Sequence, residues 1–361
     1  MKASFAEVDT PALLLDLDRV ERNLERYQRA ADAAGLKLRP HAKAHKTAQL
    51  GRLQLERGAL GLCCAKLAEA EALAAQGLDT FLVTTPVIGT GKIRRLIELA
   101  RRARVMVVVD GEENVAELGR AGVALDVLVD VDVGQGRTGV VPGKAAASLA
   151  CAISRQKNLR FRGLQTYQGR LQSVASLEER TALVREAMAK LAESERAVKE
   201  AGLPVEIKTG GGTGSFPIDL QLKALTELQP GSYVTMDTNY AKVKLGGGED
   251  HPLGNPLTIL TTVISRPVPE RAVVDVGWKS ASSDSGTPAL LDADGHTFEF
   301  AGDEHGIVRR GGAALAVAPG QRLQLIPSHC DTTVNLYDSF VVHRSGTVIE
   351  TWPIVGRGKA Q

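Results

Sequence analysis

The chain has 361 residues, 43% hydrophobic and 24% charged, with 44 Lys and Arg against 42 Asp and Glu for a formal net charge of +2. So even a balance argues against a nucleic-acid or acidic-membrane partner, and the composition is that of a globular protein with room for two domains at roughly 100–200 residues each. No stretch approaches the roughly 20 apolar residues of a membrane helix, the first ten residues lack an apolar signal core, and Cys63, Cys64, Cys151 and Cys330 are too few for a disulfide framework, so a cytoplasmic protein with buried thiols is expected.

The first apolar run, 11–17 (PALLLDL), precedes a helix from Asp18 to Ala34. From residue 36, strand candidates recur at 36–43, 59–65, 80–85, 104–110, 126–134, 160–167, 205–211 and 227–234, with helical stretches such as 45–57, 66–76, 112–121 and 175–201 between them. Eight strands alternating with helices predict a (β/α)8 barrel, with a doubly wound open sheet as the alternative. Beyond about residue 245 the texture changes to short alternating runs at 257–264, 271–276, 313–318, 322–326 and 337–343, separated by Gly, Pro and Asp and without a convincing helix. The expected division is a barrel over 12–245 and an all-β domain over 246–361, joined by residues 1–11. A pairing of segment 11–17 with the C-terminal sheet is left open.

In a barrel the chemistry gathers where strands end. The first strand ends in RPHAKAHK, Arg39 to Lys46. A lysine in that partly desolvated mouth would have a lowered pKa and be a Schiff-base candidate; equally, Lys43 and Lys46 are solvated residues at a helix start. The fifth strand ends in VDVGQGRTGV, whose glycines allow a turn bringing Arg137 toward the mouth, with pairing to Asp130 or Asp132 as the plainer reading. The sixth ends at Tyr167, a phenol suited to a planar ligand or to packing. The seventh runs into TGGGTGS, Thr209 to Ser215, where backbone N–H groups can converge on an anion in the position this fold uses for phosphate; Ser232 and Tyr233 follow the eighth strand. A phosphate cradle opposite a mouth lysine suggests pyridoxal 5'-phosphate. In PSHCDTTVNLYD, a strand over 325–331 would put His329 and Asp331 on one face and Cys330 on the other; such a pair suits Mn²⁺ or Mg²⁺, with Zn²⁺ as an alternative, or else is a hydrogen-bonded couple.

Taken together, DTPALLLDLD, RPHAKAHK, GLCCAK, VDVGQGRTGV, GLQTY, TGGGTGS, LQPGSYVTMD, GDEHG and PSHCDTTVNLYD, in this order, resemble the fold-type III pyridoxal-phosphate enzymes of the D-threonine aldolase and D-serine dehydratase group. The resemblance implies an alanine racemase-like barrel, a homodimer, and a small D-3-hydroxy amino acid as substrate. It implies that Lys43 carries the cofactor, Arg137 approaches its phenolic oxygen and Tyr167 lies beside its ring, these three being the expected catalytic residues. Gly211, Gly212 and Thr213 would bind phosphate, with Ser232 and Tyr233 nearby and Thr209 counted among the cofactor-binding residues, while His329 and Asp331 would hold the metal.

Within the resembling group the choice lies between aldol cleavage and dehydration. The dehydratase branch has cysteine where this chain has Asp331, which favours the D-threonine aldolase reaction. One departure is that Gln168 and Ser173 stand where some aldolases have histidines, one of them proposed as a base. Arg170 in the same stretch would suit a substrate carboxylate and so a 3-hydroxyaspartate. An amino-acid racemase and a non-catalytic cofactor carrier are the remoter alternatives, His305 being open as a base, a partner of the metal site or a packing residue.

Overall fold

A computed structural model of the chain describes residues 4–243, 253–293 and 295–361. The eight parallel strands are β2 (Lys37–Leu38), β3 (Leu62–Cys64), β4 (Thr80–Val83), β5 (Arg104–Val109), β6 (Leu125–Val131), β7 (Leu159–Thr166), β8 (Ile207–Gly210) and β9 (Glu227–Leu228), following β1 (Ala12–Asp16) in the chain. They hydrogen-bond in the order β2-β9-β8-β7-β6-β5-β4-β3. The seam between β2 and β3 is drawn together by an isolated parallel bridge, His41 to Cys63, and by Leu60 N–H to Leu38 C=O at 2.8 Å. The chain thus curls its sheet into the alanine racemase-like barrel rather than an open doubly wound sheet.

The runs are apolar because both faces are covered: alternate residues look inward or out under the helices. Cys63, Leu82, Met106, Val108 and Leu128 fill the barrel interior, while Phe81, Val107, Val127 and Val129 pack against the helical layer. Toward the C-terminal ends of the strands the interior becomes polar: Gln165 Nε2 donates to Asp130 Oδ1 at 3.2 Å, and Gln229 Nε2 donates to Thr209 Oγ1 at 2.9 Å. Thr209 is therefore part of the floor below the mouth. At the other end Arg39 makes a bidentate pair with Glu227, at 2.8 and 3.0 Å, with both side chains buried.

The second sheet has strands β10 (Leu257–Val268), β11 (Arg271–Val274), β12 (Ala289–Leu290), β13 (Thr297–Phe300), β14 (Gly306–Arg309), β15 (Arg322–Ile326), β16 (Ser339–Arg344) and β17 (Thr347–Pro353). β1 lies inside it, antiparallel to β10 (Leu13 opposite Ile259) and parallel to β16 (Leu15 opposite Val342). Residues 12–16, counted with the barrel in the division at 12–245, thus form a central strand of the second sheet, the long-range pairing left open from sequence. Asp16 then caps the helix Leu17–Ala34, accepting from Arg19 N–H, and Gly35 ends it in the left-handed conformation. The expected boundary at 245/246 lies outside the described residues.

Two expectations in this half are corrected. Residues 313–318 form no strand; the preceding Gly311 and Gly312 both have positive φ, and the run is irregular with only Leu315 buried. The strand expected over 325–331 stops at Ile326, and a short helix, Cys330–Val334, follows. Among the described residues no helix is long and apolar enough to cross a membrane.

Candidate active site

Lys43 sits in a short 3-10 turn, Ala42–Ala44, beyond the first barrel strand. Its ammonium lies 3.0 Å from Asp331 Oδ2, which comes from the second domain, so the site is built across both sheets. This reverses the expected lysine pKa: the neighbouring carboxylate, outweighing burial, holds it above the ordinary value. Asp331 is pushed up by burial, yet Lys43 and His329 outweigh that and hold it well below the usual carboxylate range. His41, capping the same turn, is buried with Nε2 3.2 Å from Thr84 Oγ1; burial, reinforced by Lys43, keeps the ring neutral. Lys46 is not in the mouth. Its backbone is left-handed (φ 53°), and its side chain pairs with Glu69 and reaches the Gly356 carbonyl. Burial pushes His45 down to about 4, and it bonds Gln54.

The glycine loop is shaped by what lies beneath it. A Cβ on Gly212 would come within 2.6 Å of Gln172 Oε1, and one on Gly214 within 2.0 Å of the Gln172 carbonyl, so no larger residue fits without moving the loop. Gly211 has φ of 71° and closes on Asp219. Ser215 Oγ accepts from Gly212 N–H (3.0 Å) and donates to Asp219 Oδ2 (2.7 Å), whose carboxyl burial raises to about 7. Thr213 Oγ1 accepts from the Tyr233 N–H at 3.1 Å, which ties the loop to the turn Ser232–Val234. The Tyr233 side chain is buried, stacked on Tyr27 at 4.4 Å with its hydroxyl accepting from Gln54, so what Tyr233 presents to the loop is its backbone. The Gly212, Ser215 and Tyr233 N–H groups are engaged within the protein, and the Thr213 and Gly214 N–H groups with the Thr213 hydroxyl are the donors on this glycine surface that fit a phosphate.

Arg137 does not pair with Asp130 or Asp132. Asp130 accepts from Thr138, and Asp132 caps the turn by accepting from the N–H groups of Gly134, Gln135 and Gly136. Its guanidinium lies 5.6 Å from the centre of the Tyr167 ring. Gln135 Oε1 takes the N–H groups of Gly169 (2.7 Å) and Arg170 (3.4 Å), fixing the turn after Tyr167. Arg170 and Ser173 are exposed, and Gln168 is half-buried.

His329 caps the helix Cys330–Val334, and Asp331 lies in its first turn, so a strand-to-helix corner replaces the expected strand. Cys330 still points into the core, fully buried, and its N–H donates to Asp237 at 2.9 Å. His329 Nδ1 is 2.6 Å from Asp284 Oδ2. An imidazole and a carboxylate two residues apart on this corner, the carboxylate beside Lys43, are a donor set that fits a divalent cation, although no group of three such residues able to hold a metal occurs among the described residues. Sequence reasoning missed Asp284 and Tyr240. Tyr240 is half-buried, close enough to Tyr167 and Asp331 that their charges, after burial, raise its pKa. His305 is exposed at the turn between β13 and β14.

Two family descriptions match this arrangement: the alanine racemase N-terminal domain over residues 15–239, and the putative serine dehydratase domain over 256–343. The D-threonine aldolase of Arthrobacter sp is 41% identical over 98% of this chain and 94% of its own length. The chain belongs to the fold-type III pyridoxal-phosphate enzymes of the D-threonine aldolase and D-serine dehydratase group. Within this group the 3-hydroxy-D-aspartate aldolase of Paracoccus denitrificans is 40% identical over 98% of the chain and 93% of its own length. The crystal structure of D-threonine aldolase from Filomicrobium marinum superposes with a TM-score of 0.97 at 38% identity, covering 100% of this chain and 99% of that one. The D-threo-3-hydroxyaspartate dehydratase of Delftia sp. stands further off, at 29% identity over 98% of each chain. As a member of this group the chain is a pyridoxal-phosphate enzyme.

Proposed function

We propose that this enzyme is a divalent-metal-dependent D-threonine aldolase, cleaving D-3-hydroxy amino acids between Cα and Cβ to glycine and an aldehyde. The observation that carries the reading is Asp331: a carboxylate two residues after His329, 3.0 Å from Lys43, where the resembling dehydratases have a cysteine. The aldolase relatives at 41% and 40% identity support it.

When bound, pyridoxal phosphate supplies an electron sink for the Cα carbanion and the divalent ion a Lewis acid for the β-hydroxyl oxygen. Lys43 Nζ would hold the cofactor through its aldehyde carbon, with Arg137 and Tyr167 along the ring and Gly211, Gly212, Thr213 and Ser232 around its phosphate. His329 and Asp331 would hold the metal, Mn²⁺ or Mg²⁺ on this oxygen-rich set with Zn²⁺ as the alternative. The neutral His41 adds no second cation beside Lys43, and Thr209 with Gln229 closes the barrel below the mouth. A cytoplasmic homodimer completes the proposal.

The test incubates purified protein with D-threonine, pyridoxal phosphate and Mn²⁺ and quantifies glycine plus acetaldehyde against 2-oxobutyrate plus ammonia, with EDTA and L-threonine as controls. Glycine and acetaldehyde from the D isomer alone, lost with EDTA, are expected; oxobutyrate would replace the aldolase with a dehydratase. A second substrate, 3-hydroxy-D-aspartate, is favoured by the exposed Arg170 three residues past Tyr167, which would meet its second carboxylate. Arg170→Ala should then raise KM for that substrate and leave D-threonine cleavage unchanged.

A further inference from the structure

We infer that Asp284 is a positioning residue for the metal centre: its carboxylate sets the tautomer and tilt of the His329 ring, so that Nε2 is the nitrogen presented to the ion. The inference rests on the reading of His329 and Asp331 as metal ligands and names the residue that makes one of them competent.

The chemistry starts from the 2.6 Å contact between His329 Nδ1 and Asp284 Oδ2. A carboxylate only accepts, so Nδ1 carries the hydrogen. A neutral imidazole has one N–H, which leaves the lone pair on Nε2, at the far edge of the ring from Asp284. The same contact keeps Asp284 off the ligating side: an ion on Nε2 lies across the ring from this carboxylate. Asp331, the other expected ligand, follows two residues later on the same corner.

Asp284 is itself braced, as an orienting group must be. Its Oδ1 accepts from Thr332 Oγ1 at 2.9 Å and from the Ser282 hydroxyl, and its Oδ2, beside the ring contact, accepts from Ser285 Oγ at 3.4 Å. The loop carrying it is tied to both flanks of His329: Ser328 Oγ donates to the Ser282 carbonyl at 2.9 Å, and the Ser282 N–H donates to Thr333 Oγ1 at 3.3 Å. Thus the loop between β11 and β12 grips the corner after β15 at positions 328, 332 and 333, while its aspartate takes the ring at 329. A ligand imidazole held by a carboxylate on its second nitrogen is more basic and rotationally fixed, and losing such a partner costs about 10–100-fold in metal affinity.

The experiment is equilibrium dialysis of Mn²⁺ alone against the holoenzyme and its Asp284→Ala, Asp284→Asn, Thr332→Val and His329→Ala variants, with unfolding midpoints and cofactor absorbance recorded for each. Asp284→Ala should weaken Mn²⁺ binding about 10–100-fold with unchanged cofactor absorbance. Asp284→Asn should recover most of that loss, because the amide oxygen accepts the same Nδ1 hydrogen. Equal loss in the Asn and Ala variants would overturn the inference, making the charge rather than the orientation the contribution, and wild-type binding by Asp284→Ala would overturn it outright. Should Asp284→Ala fail to fold, Thr332→Val, which loosens the carboxylate and leaves it in place, is expected to weaken Mn²⁺ several-fold, and no weakening would refute the bracing. His329→Ala separates the two levels: retention of Mn²⁺ there sinks the ligand reading itself, whereas its loss alongside intact binding by Asp284→Ala sinks only the role of Asp284.

Discussion

In the cofactor-free protein the amine that must attack an aldehyde is held as an ammonium by Asp331, and Asp331→Asn removes that hold with little change of volume. The pair is 3.0 Å long with the Lys43 side chain 39% exposed, so the dielectric of water is the conservative choice: 332/(80 × 3.0) gives about 1.4 kcal/mol. This equals about one pKa unit, or a tenfold change in the neutral fraction of the amine. Since only the neutral amine is nucleophilic, capture of pyridoxal phosphate should accelerate with rising pH through the Lys43 titration. The asparagine variant should follow the same curve displaced about one unit toward lower pH, about tenfold faster at any pH below the midpoint. The assay is stopped-flow formation of the borohydride-reducible chromophore in EDTA, with Lys43→Ala, which should form none, as control. Superimposable profiles would refute the reasoning. So would a uniform acceleration without displacement, which would mean that Asp331 acts by repelling the anionic cofactor rather than by holding the lysine.

Glu227→Gln leaves the buried Arg39 guanidinium without its counter-ion and should lower stability by about 3–5 kcal/mol; an unchanged urea midpoint would show that Arg39 finds another partner. Gly211→Ala combines a left-handed backbone with a Cβ 2.4 Å from Asp219 Oδ2, and the cofactor dissociation constant should rise at least about tenfold, since a left-handed residue alone costs about 1–2 kcal/mol. Gly202→Ala, with φ of 81° and no atom within 4 Å of the new Cβ, carries the backbone strain alone and should leave cofactor affinity intact. Asp219 has a folded pKa raised to about 7 from 3.8, so its contribution to stability is complete below about pH 4 and is lost as pH rises through 7. Asp219→Asn should flatten that decline and gain on the wild type between pH 4 and 8 in urea unfolding; parallel profiles would show that the carboxyl ionises freely in the fold.

The barrel was legible because its strands are buried on both faces, and a run such as RVMVVV in β5 states that without periodicity. The first and last strands came out much shorter than read, two residues each. Beyond Leu38 and Leu228 the segments run through Pro40 and Pro230, which cannot donate to a ladder, into the short turns that carry Lys43 and Ser232. The second sheet was harder: β13 and β14 are short and half-exposed, so an alternation such as TFEF is too brief to stand out, and the apolar 313–318 run misled because two glycines turn the chain there. By residue type alone Lys43 and Lys46 were equivalent and only the family resemblance chose Lys43; in the fold a left-handed φ at Lys46 and the buried Glu69 separate them. Asp284 lies 45 positions from His329, in a loop whose Ser and Asp residues announce only a turn.

The placement of β1 has a consequence for how this molecule is made. Its three leucines, Leu13 to Leu15, are almost fully buried between β10 and β16, yet they leave the ribosome before either neighbour exists. At roughly 5–20 residues per second, the wait from β1 to the arrival of Val342 is on the order of tens of seconds. Until β10 and then β16 arrive, the nascent chain carries β1 as an apolar strand without its neighbours. The second sheet is therefore a clasp that fastens the chain's first strand to its last ones. Asp331 reaches Lys43 only once the segment after the barrel strands has been made, so a polypeptide arrested before it lacks the carboxylate that completes its site.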